Sequence, residues 1–465
     1  MRNPAPIRIR EDALRCMVIH PCVHRKEREN APMRLQEACA LTRALGNVTI
    51  LHEDIILLRH MESGYFMSKG IMHRLGEIMA RHHIRCIIIN ASLTAIQHRN
   101  LERYWRCRVL ERTALILHIF AQHARSFEGR LQVQSAELHY QKSRLVRVWT
   151  HLERQRGGVS ALSGPGERQK ESDRRQIDQH IAQLGKRLKK IQQTRHVQRV
   201  ARQRRRYPII ALVGYTNAGK STLFRTLTHA RVPIKDQLFV TLDPTVRMIR
   251  KKRPMEQTMM LVDTVGFISD LPTQLIDAFR ATIEDIREAD MILHVRDCLA
   301  PAHQREDVES ILRALGLSSY LDNPHRYCEI LNKIDTLPIN AQHRLWHEFC
   351  HAYGRGDHKP FPLSAHHKKH CAALCDVLQD KLCQRYLAYT ARVDYGQSHA
   401  IAWLYAHAYN LKRQDVGDHV SLSFRLCLED KRHFVHRFPT IPLTHHLNER
   451  HGPSLLFQGE KAVSD

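Results

Sequence analysis

Over residues 1–127, short apolar runs alternate with amphipathic stretches. "CMVIH" at Cys16, "NVTIL" at Asn47–Leu51, "RCIIIN" at Arg85–Asn90 and "CRVLER" read as strands, and the third is apolar enough to be buried on both faces. Helices are predicted around Arg34–Leu45, Gly70–His82 and Thr94–Arg103. Strands alternating with helices predict a small α/β domain.

The period then changes. Ile177, Ile181, Leu184, Leu188 and Ile191 are spaced 4, 3, 4 and 3, the seam of a helix pair. Leu138, Leu145, Val148 and Leu152 form a less regular stripe upstream. Between them lies "GGVSALSGPGERQKESDRR", rich in turn formers over 157–166. The pattern predicts an antiparallel helical hairpin over 128–203 with 157–166 as its tip. Strand and helix signals alternate again over 204–390. A final region, 391–465, holds one helix-like segment and the alternating run "HVSLSFRLCL" at His419–Leu428, read as a small α/β appendage. The chain is thus expected to be a multidomain α/β protein.

Charge sharpens the picture. The chain carries a net +25, and residues 141–206 hold 19 Lys or Arg against 5 Asp or Glu, or +14 of that excess. Solvated helix faces account for many of these charges but not for so strong a bias of one sign. A polyanion such as RNA is the expected partner. No apolar run approaches the roughly 18 residues that span a bilayer, so no membrane insertion is expected. The first twenty residues lack the apolar core of a secretory signal, and the reading is cytoplasmic, with ribosomes or a membrane surface as places of association. Twelve cysteines without a CxxC pair read as reduced, mostly buried thiols.

The strongest chemical signal is "PIIALVGYTNAGKSTLFRTL". A buried strand, Ile209 to Val213, runs into Gly214, Tyr215, Thr216, Asn217, Ala218, Gly219, Lys220 and Ser221, with Thr222 in the helix that follows. This is a phosphate loop in its strand–loop–helix setting, where backbone N–H groups and a helix N-terminus face phosphates. Lys220 is expected to bridge the β- and γ-phosphates and Ser221 to ligate Mg²⁺. Downstream, "QLFVTLDPT" offers Phe239 and Val240 beside the nucleotide and the Thr241 hydroxyl to Mg²⁺. "LVDTVGF" offers Asp263 to the metal, flanking Thr264 and Val265, and the Gly266 N–H to the γ-phosphate. "ILNKID" places Asn332, Lys333 and Asp335 at a strand end, where Asp335 can accept hydrogen bonds that guanine donates and adenine cannot. "PLSAH" offers Ser364, Ala365 and His366 to the base edge. In this order the elements specify GTP as substrate.

Catalysis is assigned to Lys220, Thr241, Gly266 and Asn217. Many GTPases place a water-orienting glutamine directly after DxxG, where this chain has Phe267. Hydrolysis is therefore slow until a partner acts, or another group positions the water. Asn217 resembles the asparagine that coordinates K⁺ in cation-dependent GTPases, and it equally suits a residue that only caps the loop. His366, His367, His370, Cys371 and Cys375 are close in sequence, yet an exposed His-rich helix start accounts for them better than zinc does.

"GYTNAGKSTLF", "DQLFVTLDPT", "DTVGFISDLP" with "AFRATIEDIREAD", and "NKID" resemble the HflX family of GTPases, and the resemblance covers nearly the whole chain. It implies a monomer that binds the large ribosomal subunit and its ribosomal RNA and splits stalled or stressed ribosomes. In that family the hairpin contacts RNA and its tip approaches the peptidyl-transferase centre. The tip here departs from the usual GGxGLRGPGETQLETDRR by one extra residue, by loss of the arginine before Gly164, and by Arg168 and Lys170 at neutral positions. "YFMSKGI" carries Ser68 and Ile71 in place of the glycine and lysine of the family's N-terminal VGxGK segment, so no ATP site is expected there. Alternatives are a GTPase of large-subunit assembly or RNA maturation, and a nucleotide-gated RNA-binding factor with negligible turnover.

Overall fold

In β1 (Leu14–Cys22), Cys16 to Ile19 are fully buried, as a strand covered on both faces must be. The computed structural model describes residues 13–23, 27–124, 126–153, 165–205, 207–229, 245–249, 259–269, 286–355 and 359–446. Residues 157–164 of the expected tip 157–166, and Phe239, Val240 and Thr241, lie outside them, while Pro165 and Gly166 already begin a helix. Two compact units partition the chain, the first holding residues 1–191 with two short later segments.

In the first unit β1 joins β2 (Val48–Leu57), β3 (Cys86–Ile89) and β4 (Arg108–Glu111) in a wholly parallel sheet of order β2-β1-β3-β4. Parallel neighbours need crossovers. These are α1 (Glu27–Ala44), α2 (Lys69–Arg81) and α3 (Ala95–Trp105), the last held by a capping box between Thr94 and Gln97. The sequence reading missed α4 (Arg112–His123). Leu115, Ile116, Leu117, Ile119 and Phe120 are all buried there, so it shows no polar face and no helical period.

Two long helices follow, α5 (Phe127–Glu153) and α6 (Pro165–Arg205). On α6, Ile177, Ile181, Leu184, Leu188 and Ile191 are half-buried while most of their described neighbours are exposed. Lys142 of α5 pairs with Asp178 of α6 at 2.5 Å. The base of α5 is fixed by Glu111, a buried carboxylate at the end of β4. It accepts from the Tyr140 hydroxyl at 2.6 Å and the Leu93 N–H at 2.6 Å, and pairs with Arg144 at 3.0 Å.

The second unit holds a six-stranded sheet of order β10-β9-β8-β5-β7-β6. Its strands are β5 (Ile209–Val213), β6 (Thr245–Ile249), β7 (Met259–Asp263), β8 (Met291–Asp297), β9 (Tyr327–Asn332) and β10 (Phe361–Pro362), all parallel except β6 against β7. From β5 the chain goes first to β6 and β7 on one side, then to β8, β9 and β10 on the other. The crevice at the carboxyl ends of these strands is where such sheets bind ligands. Beyond it, β11 (Tyr386–Asp394), β12 (Tyr409–Val416), β13 (His419–Cys427) and β14 (Leu443–His446) form an antiparallel sheet. Burial alternates along β13, and its core gathers Tyr389, Trp403, Leu422, Phe424 and Phe434.

Among the ionisable side chains of the six-stranded sheet, His294 has a consequence in the acid range. His294 on β8 is 1% exposed, with Nδ1 2.6 Å from the Tyr327 hydroxyl. Burial, helped by Arg296 and Arg305, pushes its pKa down to about 3. The unfolded chain takes up this proton first, so the contribution is complete above about pH 6.5 and is lost as pH falls from there towards 3. Calorimetric unfolding should show stability declining by roughly 1 kcal/mol per pH unit across that window from this group. His294→Gln should flatten that part of the slope.

Candidate functional site

The turn after β5 is built by residues that accept unusual backbone angles. Asn217 lies at φ 60° and Gly219 at φ 91°, and α7 (Lys220–Thr228) starts directly afterwards. A Cβ on Gly219 would stand 2.1 Å from the Asn332 side-chain nitrogen, so glycine is required both by conformation and by space. Asn332, 2% exposed, uses both ends of its carboxamide. Its nitrogen donates to the Ala218 carbonyl at 2.8 Å, and its oxygen accepts from the Ala365 N–H at 3.0 Å. One side chain at the end of β9 thereby links the phosphate-type loop to the Ser364–His366 loop.

Lys220 is 6% exposed. Its Nζ donates to the carbonyls of Gly214 at 3.0 Å and Tyr215 at 2.7 Å, so the ammonium is curled into the loop. Burial pushes its pKa down to about 8, and the carboxylate of Asp263 opposes that shift. The Ser221 hydroxyl donates to Asp263 Oδ2 at 2.8 Å. Thr264 donates to the Leu212 carbonyl at 2.5 Å, which seats the "DTVG" turn on β5. Val265 is buried, and Gly266 lies flat on the loop, where a Cβ would meet Thr216 Cγ2 at 2.8 Å and Lys220 Nζ at 3.0 Å. Backbone bonds complete the seam, from Thr216 N–H to the Phe267 carbonyl at 2.8 Å and from Phe267 N–H to the Gly214 carbonyl at 3.0 Å.

The base-side loops converge separately. Lys333, at φ 63°, pairs with Asp297 at 3.0 Å. Asp335 lies on a 3₁₀ turn, with the exposed His367 ring 3.8 Å from its carboxylate. Ser364 is fully buried and its hydroxyl accepts from the His367 N–H at 3.2 Å. Ala365 accepts from Thr226 of α7 at 3.0 Å, while His366 is exposed. Thr222, on the first turn of α7, is half-buried. Gly214–Thr222, Asp263–Gly266, Asn332–Asp335 and Ser364–His366 are thus brought to one end of the sheet.

In the His-rich segment His366 and His367 are exposed. Among the described residues no group of three or more His, Cys, Asp or Glu could hold a metal ion. His370 instead stacks on Trp346, with ring centroids 3.7 Å apart, and burial pushes its pKa down to about 4.

This loop, sheet and strand order define a P-loop GTPase fold. Three family models match in succession: a GTP-binding GTPase N-terminal region over 33–121, a GTP-binding GTPase middle region over 123–202, and a 50S ribosome-binding GTPase over 209–333. GTPase HflX of Magnetococcus marinus is 46% identical over 305 residues, 65% of this chain and 69% of the relative. GTPase HflX of Escherichia coli is 45% identical over 273 residues, 59% of this chain and 63% of the relative. A solved GTP-binding protein of Sulfolobus solfataricus in complex with GDP is 23% identical, covers 80% of this chain and 99% of its own, and superposes with a TM-score of 0.41. The chain belongs to the HflX family, and it is a GTPase.

Replacing Gly219 by Ala should cost at least about 1 kcal/mol from backbone strain alone, before the push on Asn332 is counted. Calorimetry should show a lower melting temperature for Gly219→Ala. It should show no loss for Gly70→Ala, where nothing lies within 4 Å of the added methyl group.

Proposed function

We propose that this GTPase hydrolyses Mg²⁺-bound GTP at the end of the six-stranded sheet. In this reading it acts as a monomer, binds the large ribosomal subunit through RNA, and dissociates stalled or stressed ribosomes. The observation that carries the nucleotide site is the buried Lys220 ammonium, capping loop carbonyls beside the Ser221–Asp263 pair. A dehydrated cation amid upturned backbone N–H groups suits a polyphosphate.

The donor set also fits the metal. A hydroxyl and a carboxylate 2.8 Å apart are hard oxygen donors of the kind Mg²⁺ takes, with Thr241 as a third by sequence. Mg²⁺ supplies neutralisation of the charge that develops on the β- and γ-phosphate oxygens. This chain's own groups do the rest: Lys220 binds phosphate oxygens, Gly266 presents its N–H, and Asp335 accepts from the guanine edge. Asn217 is exposed at the crest of the loop, where its carboxamide suits K⁺ and its positive φ suits a turn former equally. Single-turnover hydrolysis compared in K⁺ and Na⁺ separates these roles.

The domains follow as an N-terminal α/β domain to residue 127, a basic hairpin to 203, a GTPase domain to 390 and a small C-terminal domain. The +14 excess over 141–206 supports an RNA contact through the hairpin. The match of residues 209–333 to a family described as 50S ribosome-binding GTPase supports the partner. Among the described residues no helix is long and apolar enough to cross a membrane.

Light scattering from intact ribosomes should fall when the protein is added with GTP and stay level with GDP or with the Lys220→Ala variant. No change with GTP would remove the splitting activity from the proposal. GTP affinity should itself decline as pH rises through about 8. Free Lys220 then loses the proton that phosphate binding requires, giving up to about tenfold weaker binding per pH unit.

A further inference from the structure

Tyr215 enters the sequence reading only as loop backbone, yet its side-chain hydroxyl makes two contacts to Ser269 beside the site. The ring is 7% exposed and points from the loop to the segment that follows Gly266. Its hydroxyl lies 2.7 Å from Ser269 Oγ and accepts from the Ser269 N–H at 2.7 Å. Ser269, 6% exposed, donates from Oγ to Asp307 Oδ2 at 3.1 Å. Since Ser269 gives its only hydroxyl proton to the carboxylate, the Tyr215 O–H donates to Ser269 Oγ. The chain therefore runs in one direction, Tyr215 to Ser269 to Asp307, and ends on a negative charge, an arrangement in which each bond strengthens the next.

We infer that the Tyr215 hydroxyl is a positioning group for GTP hydrolysis, holding residues 266–269 against the phosphate loop through Ser269 and Asp307. The inference rests on the nucleotide site proposed above. Gly266 and Phe267 occupy the stretch where other GTPases hold the attacking water, and Phe267 offers no side-chain hydrogen bond for that purpose. Orientation must then come from backbone groups, whose placement depends on how firmly the segment is held. The Thr216–Phe267 and Phe267–Gly214 bonds fix its start, and the relay fixes its continuation. Asp307 lies on the helix Ala302–Ala314, so the anchor is in regular structure.

Steady-state and single-turnover hydrolysis of Tyr215→Phe, Asp307→Asn and the double variant test the relay, with Ser269→Ala as a milder lesion. Tyr215→Phe should lower kcat about ten- to a hundredfold while KM for GTP moves less than about threefold. The double variant should be no slower than the slower single one, as members of one unit behave. A kcat within about twofold of wild type, multiplicative losses, or a rise in KM alone would each overturn the inference. If wild-type protein turns over no GTP, with or without ribosomes, the site assignment itself falls and the inference with it. Turnover in the wild type that is unaltered in Tyr215→Phe overturns the inference alone.

Discussion

The site hangs on the carboxamide of Asn332. It donates to the loop that precedes α7 and accepts from the loop that follows β10, and both bonds are buried. Neither an aspartate nor a leucine of the same size could replace it, because one lacks the donor and the other lacks both groups. The same side chain dictates its neighbour: Gly219 has no room for a Cβ because the Asn332 nitrogen stands there. Two residues more than a hundred positions apart are therefore one constraint. It ties the loop after β5 to the loop after β10 at a fixed separation.

Charge is handled around that frame by burial. Lys220 loses part of its hydration and recovers some of the cost from two carbonyls and from Asp263. Behind it, His294 faces the same field together with Arg296 and stays neutral. Arg296 in turn pairs with Glu329 at 2.9 Å, and Arg305 approaches the same carboxylate at 3.6 Å. Arg296 under the site is thus paired and His294 neutral, and the Lys220 ammonium is directed into the loop. For the polyphosphate contact proposed for Lys220, the charge is desolvated and already placed, so little reorganisation would remain on binding.

Much of this was legible beforehand, for identifiable reasons. The parallel strands announce themselves as apolar runs because they are covered on both faces. The glycines, Lys220 and Asp263 are visible because local backbone geometry and charge leave few alternatives at those positions. What was not legible is tertiary. Nothing in "GYTNAGKS" or "DTVGFIS" shows that Tyr215 and Ser269 meet, 54 positions apart, or that Asp307 closes their relay. The helix Arg112–His123 was invisible for the opposite reason, since burial on nearly every side erases the period that marks a helix. Glu111 looked like one more charge in "CRVLER", and only the fold makes it the carboxylate on which α5 is seated.

That seating bears on the role proposed for the basic hairpin. Glu111 is held at once by Tyr140, Arg144 and Leu93, and the adjoining Arg112 pairs with Glu37 at 3.2 Å and donates to Asn90 at 2.7 Å. Helix α5 therefore leaves the parallel sheet from a cluster of paired charges and hydrogen bonds, not from a slack linker. On α6 the described acidic side chains Glu171 and Asp178 are engaged by Arg175 and Lys142. The sign bias of the hairpin is then not cancelled within the hairpin itself. A firmly seated root and a surplus of positive charge both suit the RNA contact proposed for this hairpin, since phosphate contacts dominate such affinity.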